Sequence, residues 1–147
     1  MSEPRPRSVS LKRLSKGRYR ATNRHGDTII VGEGGDGTFT PVELLLTAMA
    51  ACSAIDVDYI VGKRAEPVSF VLRSEGLKVR DEGGNHLTDM VITFDARFDA
   101  NDAGKDAQDV FPRAVAQSHD RLCTVVRTVI LGGKVDSVVG RVADETA

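Results

Sequence analysis

The spacing of apolar and polar residues along the chain changes several times, and each change marks an element. "SVSLKRL" (8–14), "GRYRATNR" (17–24) and "DTIIVG" (27–32) are short runs with β-branched or aromatic residues, separated by Ser-Lys-Gly and His-Gly. This spacing predicts a three-stranded meander. A glycine-rich loop, "GEGGDGTFT", follows. Thr40 then stands at a helix N-cap position, Pro41 fits the first turn, Glu43 falls three residues past the cap, and apolar residues run from Leu44 to Ile60. Together they predict a long central helix ending near Gly62.

"PVSFVLRSEGLKVR" (67–80) and "HLTDMVITFDARFD" (86–99) alternate imperfectly about the turn "DEGGN", which predicts a long hairpin. Val110, Phe111, Ala114, Val115 and Leu122 recur at helical spacing, so a second helix is expected over about 106–121, with Pro112 near its start. "CTVVRTVI" suits a short helix or a strand, and "KVDSVVGRV" (134–142) reads as a closing strand. The order βββ-α-ββ-α-β suggests an α+β fold with antiparallel sheets flanking helices. Internal repeats and low-complexity tracts are absent from the sequence.

Length and charge narrow the classes of function. The 147 residues fit one domain with a sizeable core, taken as 1–147 with residues 1–7 as a flexible tail. "MSEPRPRSVS" is polar and proline-containing, so it is expected to be neither a signal peptide nor an anchor. Twenty Lys and Arg stand against 21 Asp and Glu, a net charge of −1, which offers no overall basic excess for a nucleic acid. The longest charge-free apolar run, Leu44 to Ile55, is short for a membrane span, so no membrane partner is expected. A soluble, cytoplasmic protein is the expectation. In that reducing compartment two cysteines are more often catalytic, redox-active or inert than joined in a standing disulfide.

Several motifs are matched in letters and not in context. Gly32, Gly34 and Gly37 spell G-x-G-x-x-G, but Thr-Phe-Thr-Pro separates them from the helix and no second parallel strand with a ribose-binding acid follows. Ser118, His119 and Asp120 name the residue types of a catalytic triad, yet successive helical residues point in different directions. Three histidines (His25, His86, His119) and two distant cysteines give no metal-ligand spacing, so neither a metal nor a cofactor is expected. "KGRYR" and "NRHG" put basic residues around Tyr19, a pattern usual for a solvated strand face.

The thiols remain. Cys52 lies inside the apolar helix, where a free cysteine commonly behaves as a small hydrophobe, and Cys123 sits just after the second helix, at the junction with the next element. Their separation along the chain says nothing about their distance in space.

"TPVELLLTAMAACSAIDV", followed about seventy residues later by "SHDRLCTVVRTVILGGKVDSVVGRV", resembles the family of osmotically inducible protein C and organic hydroperoxide resistance proteins (OsmC/Ohr), in particular its OsmC-like branch. The likeness covers nearly the whole chain. It implies an intertwined homodimer with two sheets around paired central helices, cysteine sites at the dimer interface, and a thiol peroxidase acting on small organic hydroperoxides. In that scheme Cys52 attacks the O–O bond and becomes a sulfenic acid, Cys123 condenses with it to a disulfide, and an external dithiol reductant restores both. Phe39, Leu45, Leu46 and Met49 offer apolar surface for an alkyl or lipid-like substrate.

The family's thiolate-stabilising arginine comes from the N-terminal strands. Arg18 is the best match, with Arg20 and Arg24 as competitors. In the hydroperoxide resistance branch this arginine pairs with a glutamate ten residues before the cysteine; here that position is Val42, and Glu43, nine residues or about two and a half turns before Cys52, faces away from it and reads as a cap and dipole partner. Asp56 shares the Cys52 helix face and would raise the thiol pKa, whereas Arg127 and His119 are placed to act on Cys123. The alternative is an OsmC-fold dimer without efficient peroxidase activity that binds an apolar ligand in its interface cavity or has a stress-associated role. A Cys123–His119 hydrolase would need an orienting group and an oxyanion loop, and no motif supplies them.

Overall fold

The structure is a computed structural model describing residues 1–143. It is α+β, in the order β1 (Val9–Ser15), β2 (Arg18–Asn23), β3 (Thr28–Val31), α1 (Pro41–Val61), β4 (Ser69–Asp81), β5 (Gly84–Arg97), α2 (Asp102–Gln117), a π-helical turn (Ser118–Leu122) and α3 (Thr124–Leu131). The chain divides into two compact units: residues 1–44 with the C-terminal segment from Asp136, and Leu45–Val135.

In the first unit β1, β2 and β3 form an antiparallel meander. Gly17, at φ 72°, makes the tight β1–β2 turn, a conformation that costs glycine nothing. The start of α1 is built as its sequence dictates: the Thr40 N–H donates to Glu43 Oε1 (2.9 Å) and the Glu43 N–H donates to Thr40 Oγ1 (3.1 Å), a reciprocal capping box. That contact with the Thr40 backbone holds the Glu43 carboxyl below its ordinary range.

In the second unit α1 supplies one buried stripe, Met49, Ser53, Val57 and Val61, at four-residue spacing. Val57 and Val61 pack with Ala96, Phe111 and Ala114, and Phe111 meets Phe70 and Phe98 edge-on at centroid distances of 5.8 and 6.3 Å. A second cluster gathers Met49, Cys123 and Val126 with Cys52, Met90, Ile92, Val125 and Val129. The β4–β5 hairpin turns at Glu82 and Gly83, and its register shifts between Glu75 and Leu77. Opposite that shift Asp89 takes φ 52°, the signature of a bulge, which re-aims the neighbouring side chains. Met90, next to it, enters the cysteine cluster.

Two expectations are corrected and one open alternative is resolved. Residues 134–142 form no strand: Val135, Val138, Val139 and Val142 lie exposed without a ladder partner among the described residues. The second helix begins at Asp102, capped by Asn101 Oδ1 accepting from the Gly104 N–H at 2.7 Å, so Pro112 lies inside the helix and not near its start. The segment after Cys123, open between helix and strand, is helix. The central helix itself runs past Asp56 and Asp58 to Val61, and among the described residues it alone is long and apolar enough to cross a membrane by length and composition.

Candidate functional site

The two thiols, 71 residues apart in sequence, meet in space. Cys52 comes from the middle of α1 and Cys123 from the N-cap of α3, and their side chains interact within the second apolar cluster. Both are free thiols; Cys123 is fully buried and Cys52 half-buried. The junction that carries Cys123 is wound wide: its N–H donates to the Ser118 carbonyl five residues back at 2.9 Å. Such π-turns are rare inside helical segments and recur at functional sites.

The first turn of α3 addresses both sulfurs. The Val126 N–H donates to Cys123 Sγ at 3.4 Å, and the Val125 N–H faces Cys52 and pulls its pKa down. Free N–H groups and the positive end of the helix dipole favour an anion at this point. Burial acts the other way and is the larger effect on Cys52, and Cys123 and the Asp56 carboxylate add to it, so the Cys52 thiol sits above its ordinary value. Asp56 is itself engaged: the fully buried Ser118 hydroxyl donates to its Oδ2 at 2.9 Å.

A cavity of about 560 Å³ opens beside the cluster. Met49, Met90, Ile92, Val126 and Val129 give it apolar walls, and Ser53, His119 and Asp120 bring polar groups. Of the apolar residues expected near the thiols, Met49 alone lines it; Leu45 and Leu46 are outside its walls and Phe39 belongs to the first unit. Arg127 Nη1 donates to the His119 carbonyl at 3.5 Å. Arg18, at the start of β2, donates from Nη1 to Asp36 Oδ2 at 2.9 Å, and Thr38 holds the same carboxyl below its ordinary range through its hydroxyl and N–H. Arg20 and Arg24 line a separate cavity of the first unit.

Met90 and the Val125 and Val126 N–H groups were not anticipated, and Ser118, set aside above as part of a triad in letters alone, enters as the donor to Asp56. Gly76 inside a strand pattern was the available signal for the bulge that delivers Met90. The backbone donors depended on whether 124–131 is helix, which its composition left open. Among the described residues no group of three or more His, Cys, Asp or Glu is arranged to hold a metal ion.

Residues 34–137 match the family model described as OsmC-like protein. An uncharacterised protein of Mycobacterium tuberculosis (strain H37Rv) is 31% identical over 128 residues, covering 86% of this chain and 90% of its own length. A hypothetical protein from Aquifex aeolicus has a similar structure, with TM-score 0.71 at 22% identity over 87% of this chain and 89% of its own. An OsmC-like protein from Mycoplasma pneumoniae superposes with TM-score 0.67 at 13% identity, covering 87% of this chain and 89% of its own. These likenesses share the α+β fold built here from the sequence, and with the family match they lead to one conclusion: the chain belongs to the OsmC-like protein family.

Proposed function

We propose that the chain is a cysteine-dependent peroxidase that reduces small organic hydroperoxides to alcohols. The observation that carries this reading is the pairing of Cys52 and Cys123 at the N-terminus of α3, each beside a backbone N–H of its first turn. The half-buried Cys52 is the attacking group of the pair, because the fully buried Cys123 is the more withheld from a reagent. The Cys52 thiolate attacks the terminal peroxide oxygen, the O–O bond breaks, and the alkoxide takes a proton and leaves as alcohol. The Cys52 sulfenic acid then condenses with the Cys123 thiol, releasing water and forming the disulfide. An external dithiol reduces that bond by exchange, as a reducing compartment such as the cytoplasm would sustain. The apolar cavity suits the organic part of the substrate.

A homodimer belongs to the same proposal. Leu45, Ala48, Cys52, Ile55 and Tyr59 repeat at spacings of three and four, a seam of the kind that packs against another helix, and Ile55 and Tyr59 are 57% and 77% exposed. Arg18 is the cation that the reading assigns to the thiolate. The elevated Cys52 pKa favours one rival, a dimer of the same fold that holds an apolar ligand without fast peroxide chemistry.

One experiment separates them. The reduced protein receives one equivalent of cumene hydroperoxide, and thiol content and intact mass are followed over seconds in wild type, Cys52→Ser and Cys123→Ser. Loss of two hydrogens per chain, with a Cys52–Cys123 peptide link that neither variant forms, is the expected result. Survival of both thiols in excess peroxide overturns the peroxidase and leaves the ligand-binding dimer.

A further inference from the structure

The meander β1–β3 has two faces of opposite chemistry. Residues directly opposed across an antiparallel pair share a face, and neighbours along a strand alternate. Leu11 opposite Ala21 and Tyr19 opposite Val31 make an apolar face, while Ser10 opposite Thr22 and Lys12 opposite Arg20 make a polar one. Like charges placed directly across a ladder repel and destabilise it. An interposed carboxylate would relieve the pair, and among the described residues neither Lys12 nor Arg20 has a carboxylate partner: Arg18 pairs with Asp36 and His86 with Asp81.

A cavity of about 780 Å³ opens here, and Lys12, Arg20, Arg24, His25, Thr22 and Thr28 are among its walls. Its cationic end is built on a fixed turn. Asn23 Oδ1 accepts from the N–H groups of His25 (2.9 Å) and Asp27 (3.0 Å), and Asn23 Nδ2 donates to Asp27 Oδ2 at 3.1 Å, so the nearest acid in sequence bonds a neutral amide. Arg24 Nε donates to His25 Nε2 at 3.2 Å, which ties the guanidinium to that turn. Three cations line one concave surface together with two threonine hydroxyls, and among the described residues no carboxylate relieves the repulsion between Lys12 and Arg20.

We propose that this cavity binds a small phosphorylated molecule, with Lys12, Arg20 and Arg24 on the phosphate oxygens and the Thr22 and Thr28 hydroxyls beside them. Phosphate suits the site because its several oxygens carry close to two negative charges and accept from planar guanidinium groups in pairs. The volume exceeds that of a bare anion and lies in the range of organic ligand pockets, so the phosphate is one end of a larger body. The site is independent of the thiols and of any peroxide chemistry.

Calorimetric titration of the full chain with ADP, and separately with inorganic pyrophosphate at constant ionic strength, tests the proposal. The expected result is saturable binding of one ADP per chain, displaced by pyrophosphate. Lys12→Ala and Arg20→Ala should each weaken it about tenfold, while Arg73→Ala on β4 leaves it unchanged. Without ligand, Lys12→Ala should melt no lower than wild type, because it removes a like-charge pair, and it should lose the rise in melting temperature that ADP gives wild type. Absence of saturable binding of either probe at millimolar concentration overturns the proposal. A short DNA duplex that binds more tightly than ADP and is weakened equally by Arg73→Ala would mean a diffuse polyanion surface, and also overturns it.

Discussion

Asp56 offers the sharpest test of how the protein sets its own thiol chemistry, because the carboxylate does two separable things. It accepts the hydrogen bond of the buried Ser118 hydroxyl, and its charge helps hold the Cys52 thiol above its ordinary pKa. Asp56→Asn keeps a carbonyl acceptor and removes the charge, whereas Asp56→Ala removes both. Residues four apart on a helix lie about 6 Å from one another. At that distance, in the water-like dielectric suited to a half-exposed pair, the repulsion is about 0.7 kcal/mol. This amounts to about a threefold change in thiolate fraction below the pKa.

The sign follows from the chemistry. An anion beside a thiol disfavours the thiolate, so its removal lowers the Cys52 pKa and moves the whole rate profile to lower pH. The assay is the pH dependence of iodoacetamide alkylation in a Cys123→Ser background, which isolates Cys52 and leaves a serine that still caps α3. Asp56→Asn should react about threefold faster at neutral pH with little change in melting temperature. Asp56→Ala should show the same acceleration and also orphan the Ser118 hydroxyl, at about 2 kcal/mol. For a chain of this size that is a fall of roughly 4–8 °C. An unchanged or raised Cys52 pKa in Asp56→Asn would refute the electrostatic account. Equal melting temperatures for the Asn and Ala variants would refute the hydrogen-bond account.

Gly104→Ala should be among the most damaging single changes, at about 3 kcal/mol or more in chemical denaturation, because a Cβ there runs into the Asp99 backbone carbonyl, which cannot swing aside as a side chain can. Thr40→Ala should cost about 1 kcal/mol by the same measurement, since it removes the hydroxyl half of the capping box and leaves Glu43 to bond the backbone alone. Ile55→Asp combined with Tyr59→Asp should convert a dimer to a monomer in light scattering, whereas a wild-type chain already monomeric at micromolar concentration would refute pairing along the α1 seam.

What could be read from the sequence follows from how local each signal is. The capping box at Thr40 and Glu43 involves four consecutive residues and needs no tertiary information, so it was visible in advance. The hairpin turn at Glu82 and Gly83 was visible for the same reason. The start of α2 was missed because its first two turns, Asp102–Asp109, are nearly all polar or small, and periodicity that tracks apolar residues begins only at Val110. The cysteine pairing was open because the contact depends on a π-turn that sets Cys123 at a cap, and no side-chain spacing encodes that extra residue per turn. Cys52 and Cys123 were nominated from residue type and family resemblance. The backbone donors around them have no residue-type signature at all.

The expected closing strand raises a different problem, one of missing partners. Residues 134–142 carry four exposed valines and no ladder, Val9, Leu11 and Ile29 stand exposed on the meander, and Ile55 and Tyr59 stand exposed on α1. A helix that is apolar all round is stable in water only if most of its surface is covered, yet α1 buries a single stripe of four residues within the chain. The same chain therefore displays an exposed helix seam, an exposed apolar sheet face and, at 134–142, four exposed valines outside any ladder among the described residues. A second copy could satisfy all three at once, because a two-fold interface pairs like surfaces and exchanges unlike ones reciprocally. Covering the seam has a chemical consequence, since Cys52 lies within it. Further desolvation would push an already elevated thiol pKa higher still, and a dimer that bears an active thiolate must bring a cation with it. Assembly and reactivity thus become one question: a dimer in which Arg18→Met leaves the Cys52 pKa unchanged would be a binding protein, and one in which it rises would be the peroxidase.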